Sequence, residues 1–184
     1  MKIFVINGHE KYPYNKGLLN QTLFEKIINE LSTLNEVVFT VLQDGYDVRL
    51  EQEKFLSADI VIFQTPVYWF SVPALLKKYI ELVYGYGVFY RGSSDYGRGG
   101  LFSQKRYMFS LTMNAPEYAF NNIDEFFDGH SIDDLILPLH KLHEFCAMKP
   151  IPTFSCYDVV KNPDIQKYLD RLKEHLDKYI HPLI

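Results

Sequence analysis

The 184-residue chain predicts an α/β fold: a doubly wound, five-stranded parallel sheet with helices on both faces. Three observations carry that reading. Strand-type and helix-type segments alternate five times. Two of the strand segments, Ile60–Phe63 and Arg106–Thr112, read as apolar runs of the kind buried on both faces of a parallel sheet. The first of these runs leads into Pro66-Val67-Tyr68-Trp69-Phe70, a group of large flat side chains at the carboxyl end of a strand, where open α/β sheets bind ligands.

Lys2–Ile6 is the first expected strand, and Leu19, Leu23, Ile27, Leu31 and Leu34 recur behind it at helical spacing. Glu36–Leu42 is the second strand, and a short helix over Leu50–Ala58 leads to the third. Pro73 opens the next helix, because proline suits a first turn, and Leu75, Leu76, Tyr79, Ile80 and Val83 share one face. Tyr84–Gly100, rich in Gly, Tyr and Arg, reads as loop, and Arg106–Thr112 is the fourth strand. An acidic stretch, Glu117–Asp134, embeds Phe120, Phe126 and Phe127. Leu135–Ala147 reads as a helix that Pro138 interrupts, and the fifth strand is expected near Thr153–Tyr157. The last helix opens with Asn162 as cap and Pro163 in its first turn, and Ile165, Leu169, Leu172 and Leu176 form its stripe. A flavodoxin-like strand order, 2-1-3-4-5, is expected, since it sets both main candidate ligand loops at the switch point between strands one and three.

The length suits one domain over residues 1–184, and no linker or repeat divides it. A net charge of −4 argues against a nucleic-acid partner, which calls for a basic face. Cys146 and Cys156 make neither a disulfide framework nor a CxxC metal pair, which suits a reducing cytoplasm. The chain enters a strand too abruptly for a signal peptide, and no apolar run approaches the ~20 residues of a membrane span, so no direct membrane insertion is expected. The unusual feature is aromatic content, 14 Tyr and 14 Phe, much of it in expected loops.

Three loops are candidates for ligand binding. Asn7 to Gly17 delivers His9, Asn15 and Lys16 to a helix N-terminus, where free N–H groups and the helix dipole favour a phosphate. This loop contains no GxGxxG or GxxxxGK[ST], nor the Ser/Thr-dense phosphate loop of small FMN flavodoxins. The aromatic loop Pro66, Val67, Tyr68, Trp69 and Phe70 suits a planar ligand, against the plainer reading of a satellite core or subunit contact. Thr112-Met113-Asn114-Ala115 follows strand four, and its amides suit the polar edge of a flat heterocycle.

Taken in order, these pieces resemble a known family, the flavodoxin-fold NAD(P)H:quinone oxidoreductases, and most closely the bacterial modulator of drug activity B branch. The resemblance rests on Ile6-Asn7-Gly8 with Gly17, Leu19 and Asn20; Tyr46-Asp47-Val48; Ala58 to Ile62 with Gln64 and Pro66; and Pro73 with Lys77 to Ile80. It continues through Tyr96-Gly97, Gly99 to Leu101, Ser110 to Thr112 with Asn114 to Pro116, Leu137-Pro138 with His140-Lys141, and Pro152 to Phe154. Each piece is weak, and the ordered set over nearly the whole chain is specific. The resemblance implies FAD rather than FMN, held without covalent attachment in a homodimer. Carried over by position, its contacts are Asn15, Lys16, Gly17, Leu18, Leu19, Asn20, Gln21 and Thr22 for the phosphates and ribityl chain, and Pro66 to Phe70 for the ring. Tyr96 and Thr112, Met113, Asn114 and Ala115 complete the set. Departures stand at Asn15, where relatives often have Ser, at Met113, where Trp is expected, and in a shorter Tyr84–Gly100 loop.

The implied chemistry is two-electron hydride transfer from NADPH or NADH through the flavin to a quinone or another small aromatic acceptor, by a ping-pong mechanism. Tyr96, Tyr118 and His130 are candidates near the site, with no general acid assigned, and amides near Val67–Trp69 and Asn114 are candidate stabilisers of the reduced ring. A regulatory flavoprotein subunit of a potassium-efflux system is the alternative, and an electron-transfer flavodoxin a weaker one. His140, His143 and Cys146, three apart on a helix, fan around it and suggest no metal site. Arg91 and Arg98 are read first as surface, then as partners for a 2′-phosphate.

Overall fold

The computed structural model describes residues 1–183. β1 (Lys2–Asn7), β2 (Glu36–Val41), β3 (Ile60–Pro66), β4 (Arg106–Thr112), β5 (Lys149–Pro150) and β6 (Phe154–Cys156) form one parallel sheet in the order β2-β1-β3-β4-β5, with β6 also on β4. The helices are α1 (Leu18–Leu31), α2 (Val48–Ser57), α3 (Ala74–Val83), α4 (Ile132–Leu135), α5 (Leu137–Phe145) and α6 (Ile165–Tyr179).

Side-chain alternation along the strands divides the core in two. Phe4, Ile6, Val61, Phe63, Tyr107 and Phe109 pack with Phe55 of α2, Leu76 and Tyr79 of α3 and Leu139 of α5. Ile3, Val5, Ile60, Ile62 and Met108 pack on the opposite face with Leu23 and Ile27 of α1 and Leu172 and Leu176 of α6. The continuous apolar character of β3 is therefore explained, since both of its faces are covered.

Several expected boundaries move. β3 runs on to Pro66, and α2 begins at Val48 because Asp47 caps it, its carboxylate accepting from the Leu50 N–H at 3.0 Å. Leu34 lies beyond α1 and is exposed. The expected Leu135–Ala147 helix is two helices, and Pro138 sits in the first turn of α5, where its missing N–H costs nothing. The fifth strand is split: Lys149 and Pro150 pair with Arg106 and Tyr107, then Phe154–Cys156 pair with Ser110–Thr112. Pro150 and Pro152 each remove a ladder donor, which explains the interruption. In α6 the cap is Asp164, accepting from the Lys167 N–H at 3.1 Å, so Asn162 and Pro163 precede the helix. Tyr168, not the half-exposed Ile165, begins its buried stripe. Among the described residues no helix is long and apolar enough to cross a membrane.

Candidate functional site

The first loop reaches α1 through a tight turn, in which Tyr12 and Asn15 exchange backbone hydrogen bonds of 3.0 Å. Gly17 then takes φ +69° as the N-cap of α1, with no side chain capping the helix and no acidic residue in its first turn. The first intrahelical bond is Gln21 N–H to Gly17 C=O at 2.9 Å, which leaves the N–H groups of Leu18, Leu19 and Asn20 directed out of the helix end. Asn15 turns its side-chain oxygen back to the Gly17 N–H at 3.0 Å. A Cβ at Gly17 would overlap the imidazole of His9, so glycine is required by space as well as by φ.

His9 is only 6% exposed, and its buried Nε2 has no hydrogen-bond partner. Burial lowers the imidazole pKa, so the ring is neutral at pH 7. A buried nitrogen without a partner is costly, and its position beside an uncapped helix N-terminus marks a site for an acceptor-rich ligand. The cleft there has a volume of about 490 Å³, lined by His9, Asn15, Lys16, Gly17, Leu18, Leu19 and Asn20, by Pro66 and Thr112 from the sheet, and by Val159, Val160 and Ile165 beyond β6.

The aromatic loop is a two-residue turn. Tyr68 and Ser71 exchange backbone bonds of 2.7 and 3.1 Å, and the two central residues, Trp69 and Phe70, take φ +46° and +65°. Turns of this kind normally hold Asn-Gly, because bulky side chains are strained at positive φ. Trp69 is 93% exposed, while Phe70 stacks on Phe126 with ring centroids 6.0 Å apart. Strain combined with an exposed indole makes this turn a candidate ligand contact. Tyr68 joins the two loops, its ring edge-on to His9 and Tyr12 at 6.3 and 5.6 Å. Burial pushes its phenol up to about 12.

The remaining expected contacts are dispersed. Gln21 bonds to Glu25 and to Asn7 of β1, and Thr22 to the Leu18 carbonyl. The Val67 and Tyr68 amides already serve Thr112 and Ser71, so the donors expected around Val67–Trp69 are largely occupied by the fold. Thr112 lines the cleft, Met113 buries its side chain and gives its N–H to Cys156, and Asn114 is exposed. Tyr96 is 98% exposed and leans on Phe145, away from the cleft-lining residues. Tyr118 and His130 are exposed too.

A larger cavity of about 860 Å³ lies at the opposite end of β4, against β5 and α5, and includes Arg98, Tyr107, Asp133 and His140. Four of its polar groups, Tyr107, Asp133, His140 and Thr153, are bonded to one another. His140 Nε2 meets Asp133 at 3.1 Å and so carries the proton, leaving Nδ1 to accept from the Tyr107 hydroxyl at 2.7 Å. Thr153 donates to the same Asp133 oxygen at 2.6 Å, and the His140 bond is the chief reason the carboxyl pKa is lowered. His143 is fully buried, its Nδ1 bonded to the Leu139 carbonyl at 2.7 Å and its Nε2 to the Tyr84 hydroxyl at 3.0 Å. Burial pushes His143 down to about 4 and the Cys146 thiol up to about 12. His140 and His143 are engaged separately and Cys146 is a free, buried thiol, and among the described residues no cluster of His, Cys, Asp or Glu could hold a metal.

Sequence reasoning recognised His9 as a donor but not its buried, unpartnered state, which depends on Gly17 closing over it. The Val159–Ile165 wall gave no signal, because only the fold brings it beside α1.

The family model described as a flavodoxin-like fold matches residues 1–180. NADPH:quinone oxidoreductase MdaB of Haemophilus influenzae is 41% identical over 189 residues, covering 97% of this chain and 98% of that protein. The crystal structure of a Klebsiella pneumoniae protein, provisionally assigned as a quinone reductase, superimposes with a TM-score of 0.79 at 27% identity, covering 96% of this chain and 84% of the other. General stress protein 14 of Treponema denticola, solved in complex with FMN, has a TM-score of 0.72 at 19% identity over 96% and 95% of the two chains, a likeness of fold alone.

Proposed function

The chain belongs to the flavodoxin-like fold family, and from that premise we propose that it is an enzyme, an FAD-dependent NAD(P)H:quinone oxidoreductase. The observation that carries the proposal is the cleft where the uncapped N-terminus of α1 faces the unpartnered Nε2 of His9, beside the strained Trp69–Phe70 turn. The relatives named NADPH:quinone oxidoreductase and quinone reductase, and the FMN-bound neighbour of the same fold, support a flavin and this pair of substrates.

The residues present fit such a cofactor. The N–H groups of Leu18, Leu19 and Asn20, the dipole of α1 and the Lys16 ammonium receive a pyrophosphate, and no carboxylate in the first turn opposes it. His9 supplies a further donor from Nε2 in the tautomer that carries its proton there. Asn15 takes the place of a hydroxyl donor. Trp69 offers a flat face, and the Tyr68 phenol stays protonated at neutral pH. When bound, the flavin supplies hydride acceptance and donation. Donor and acceptor then use one open slot in turn, a ping-pong order in which NAD(P)H and a proton reduce a quinone to the hydroquinone. The same exposed aromatics, Trp69, Tyr96, Tyr118 and Phe126, support a homodimer, and the single domain works in the cytoplasm. Initial rates of NADPH oxidation at several quinone concentrations test the reading: parallel double-reciprocal lines are expected, and no quinone-dependent oxidation of NADPH or NADH refutes it.

A further inference from the structure

The face of the sheet toward α1 carries an apolar row, Val5–Ile62–Met108, across β1, β3 and β4. The next row toward the cleft, Asn7–Gln64–Ser110, breaks that pattern with three polar side chains in register. All three are buried, as is Asn20, which reaches them from the first turn of α1. They form a single chain of hydrogen bonds. The Ser110 hydroxyl donates to Gln64 Oε1 at 2.6 Å, Gln64 Nε2 to Asn20 Oδ1 at 2.9 Å, and Asn20 Nδ2 to Asn7 Oδ1 at 2.8 Å. Asn7 Nδ2 continues to Gln21 Oε1 at 2.9 Å.

The direction of this chain is fixed at one point. Asn7 Oδ1 also accepts the backbone N–H of His9 at 3.1 Å, and a main-chain donor can only face an oxygen. Asn20 must therefore present its nitrogen to Asn7 and its oxygen to Gln64, and Gln64 must present its oxygen to Ser110. None of these four side chains leaves a buried polar atom unpartnered.

Well-packed apolar residues usually stabilise a core as well as a buried polar network does, so such a network is better explained by the geometry it enforces. This one ties both walls of the cleft, His9 through Asn7 and the first turn of α1 through Asn20, to adjacent strands on which Pro66 and Thr112, two residues further along, line the cleft. We propose that Gln64, with Ser110, is a positioning residue: it touches no ligand, and through Asn20 it sets the spacing of the helix N-terminus from His9 and so the grip on the pyrophosphate. This rests on the flavin reading above.

The test is the affinity of Gln64→Met and Ser110→Ala for FAD and for riboflavin, which lacks phosphate, together with the melting temperature of each apoprotein. Gln64→Met should weaken FAD binding about ten-fold and riboflavin binding less than about two-fold, a difference of roughly 1 kcal/mol. Ser110→Ala, which removes only the last donor, should shift the ratio in the same direction by about two- to three-fold. A merely structural role would lower the melting temperature and leave the ratio unchanged. Equal losses for the two ligands overturn the inference, and if Gln64→Met does not fold, an unchanged ratio in Ser110→Ala does so. Wild-type protein that binds neither flavin removes this inference together with the reading beneath it, whereas an unchanged ratio on an intact wild-type background removes this inference alone.

Discussion

Trp69 is the residue at which stability and function pull apart. Its side chain is almost wholly exposed, so it contributes little packing to the chain alone, yet its backbone sits at φ +46°. A non-glycine residue there costs ~1–2 kcal/mol, of which the extra unfolded-state freedom of glycine takes back roughly half. Trp69→Gly should therefore raise the apoprotein melting temperature by about 2 °C, while weakening FAD and riboflavin about equally, by roughly ten- to hundred-fold. A melting temperature that falls by several degrees would show that the turn is not strained. Gly17→Val makes the opposite case: its Cβ overlaps His9 and its φ is unsuited to valine, so it should be destabilising and should harm FAD more than riboflavin. Titration of both variants with both ligands separates the two loops, and equal losses in Gly17→Val would place the phosphate elsewhere. The aromatic loop was legible from sequence, because three flat residues after a buried strand have few structural uses. Its strain was not, because φ is set by the Tyr68–Ser71 pairing.

At the scale of elements, legibility followed the simplicity of the local pattern. β4 was found with its observed limits, and α3 within a residue, since each has one uninterrupted apolar pattern. Failures fell where prolines and capping side chains compete. Pro150 and Pro152 split the last strand, Pro138 starts a helix rather than kinking one, and Asp164 wins the cap from Asn162. The bonding of α5 to the sheet was also hidden. His143, on the buried face of α5, packs on Phe63, Tyr107 and Phe109 of the sheet and has a pKa of about 4 against an ordinary 6.5, so the unfolded chain takes up its proton before the folded one does. That contribution is fully present above pH 6.5, and is lost as pH falls toward 4. At about 1.4 kcal/mol per unit it amounts to about 2 kcal/mol between pH 7 and pH 5. Thermal melts at the two pH values should show a smaller drop in His143→Gln, which keeps polar partners for Tyr84 and Leu139 but does not titrate. Equal drops in wild type and variant would assign the acid sensitivity to other groups.

In the whole molecule the exposed aromatics are spread over several loops, and the chain alone does not bring Tyr96 to the aromatic turn. A twofold dimer that covers Trp69, Tyr96 and Phe126 would bury three strongly exposed rings, and sedimentation at micromolar concentration should give the mass of two chains. A monomer at that concentration would contradict it. Fold class and strand order were legible because strand-helix alternation and right-handed crossovers leave few arrangements. The site was legible as loops but not as a cavity, since its far wall, Val159 to Ile165, is distant in sequence. A flavin dinucleotide in the cleft between His9 and the α1 N-terminus is what the ligand-binding expectations rest on. The most direct test is the absorbance spectrum of the purified protein, followed by identification of the cofactor released on denaturation. The protein should be yellow and release FAD; a colourless protein with no thermal shift on adding FAD or FMN would rule out a flavin in this cleft.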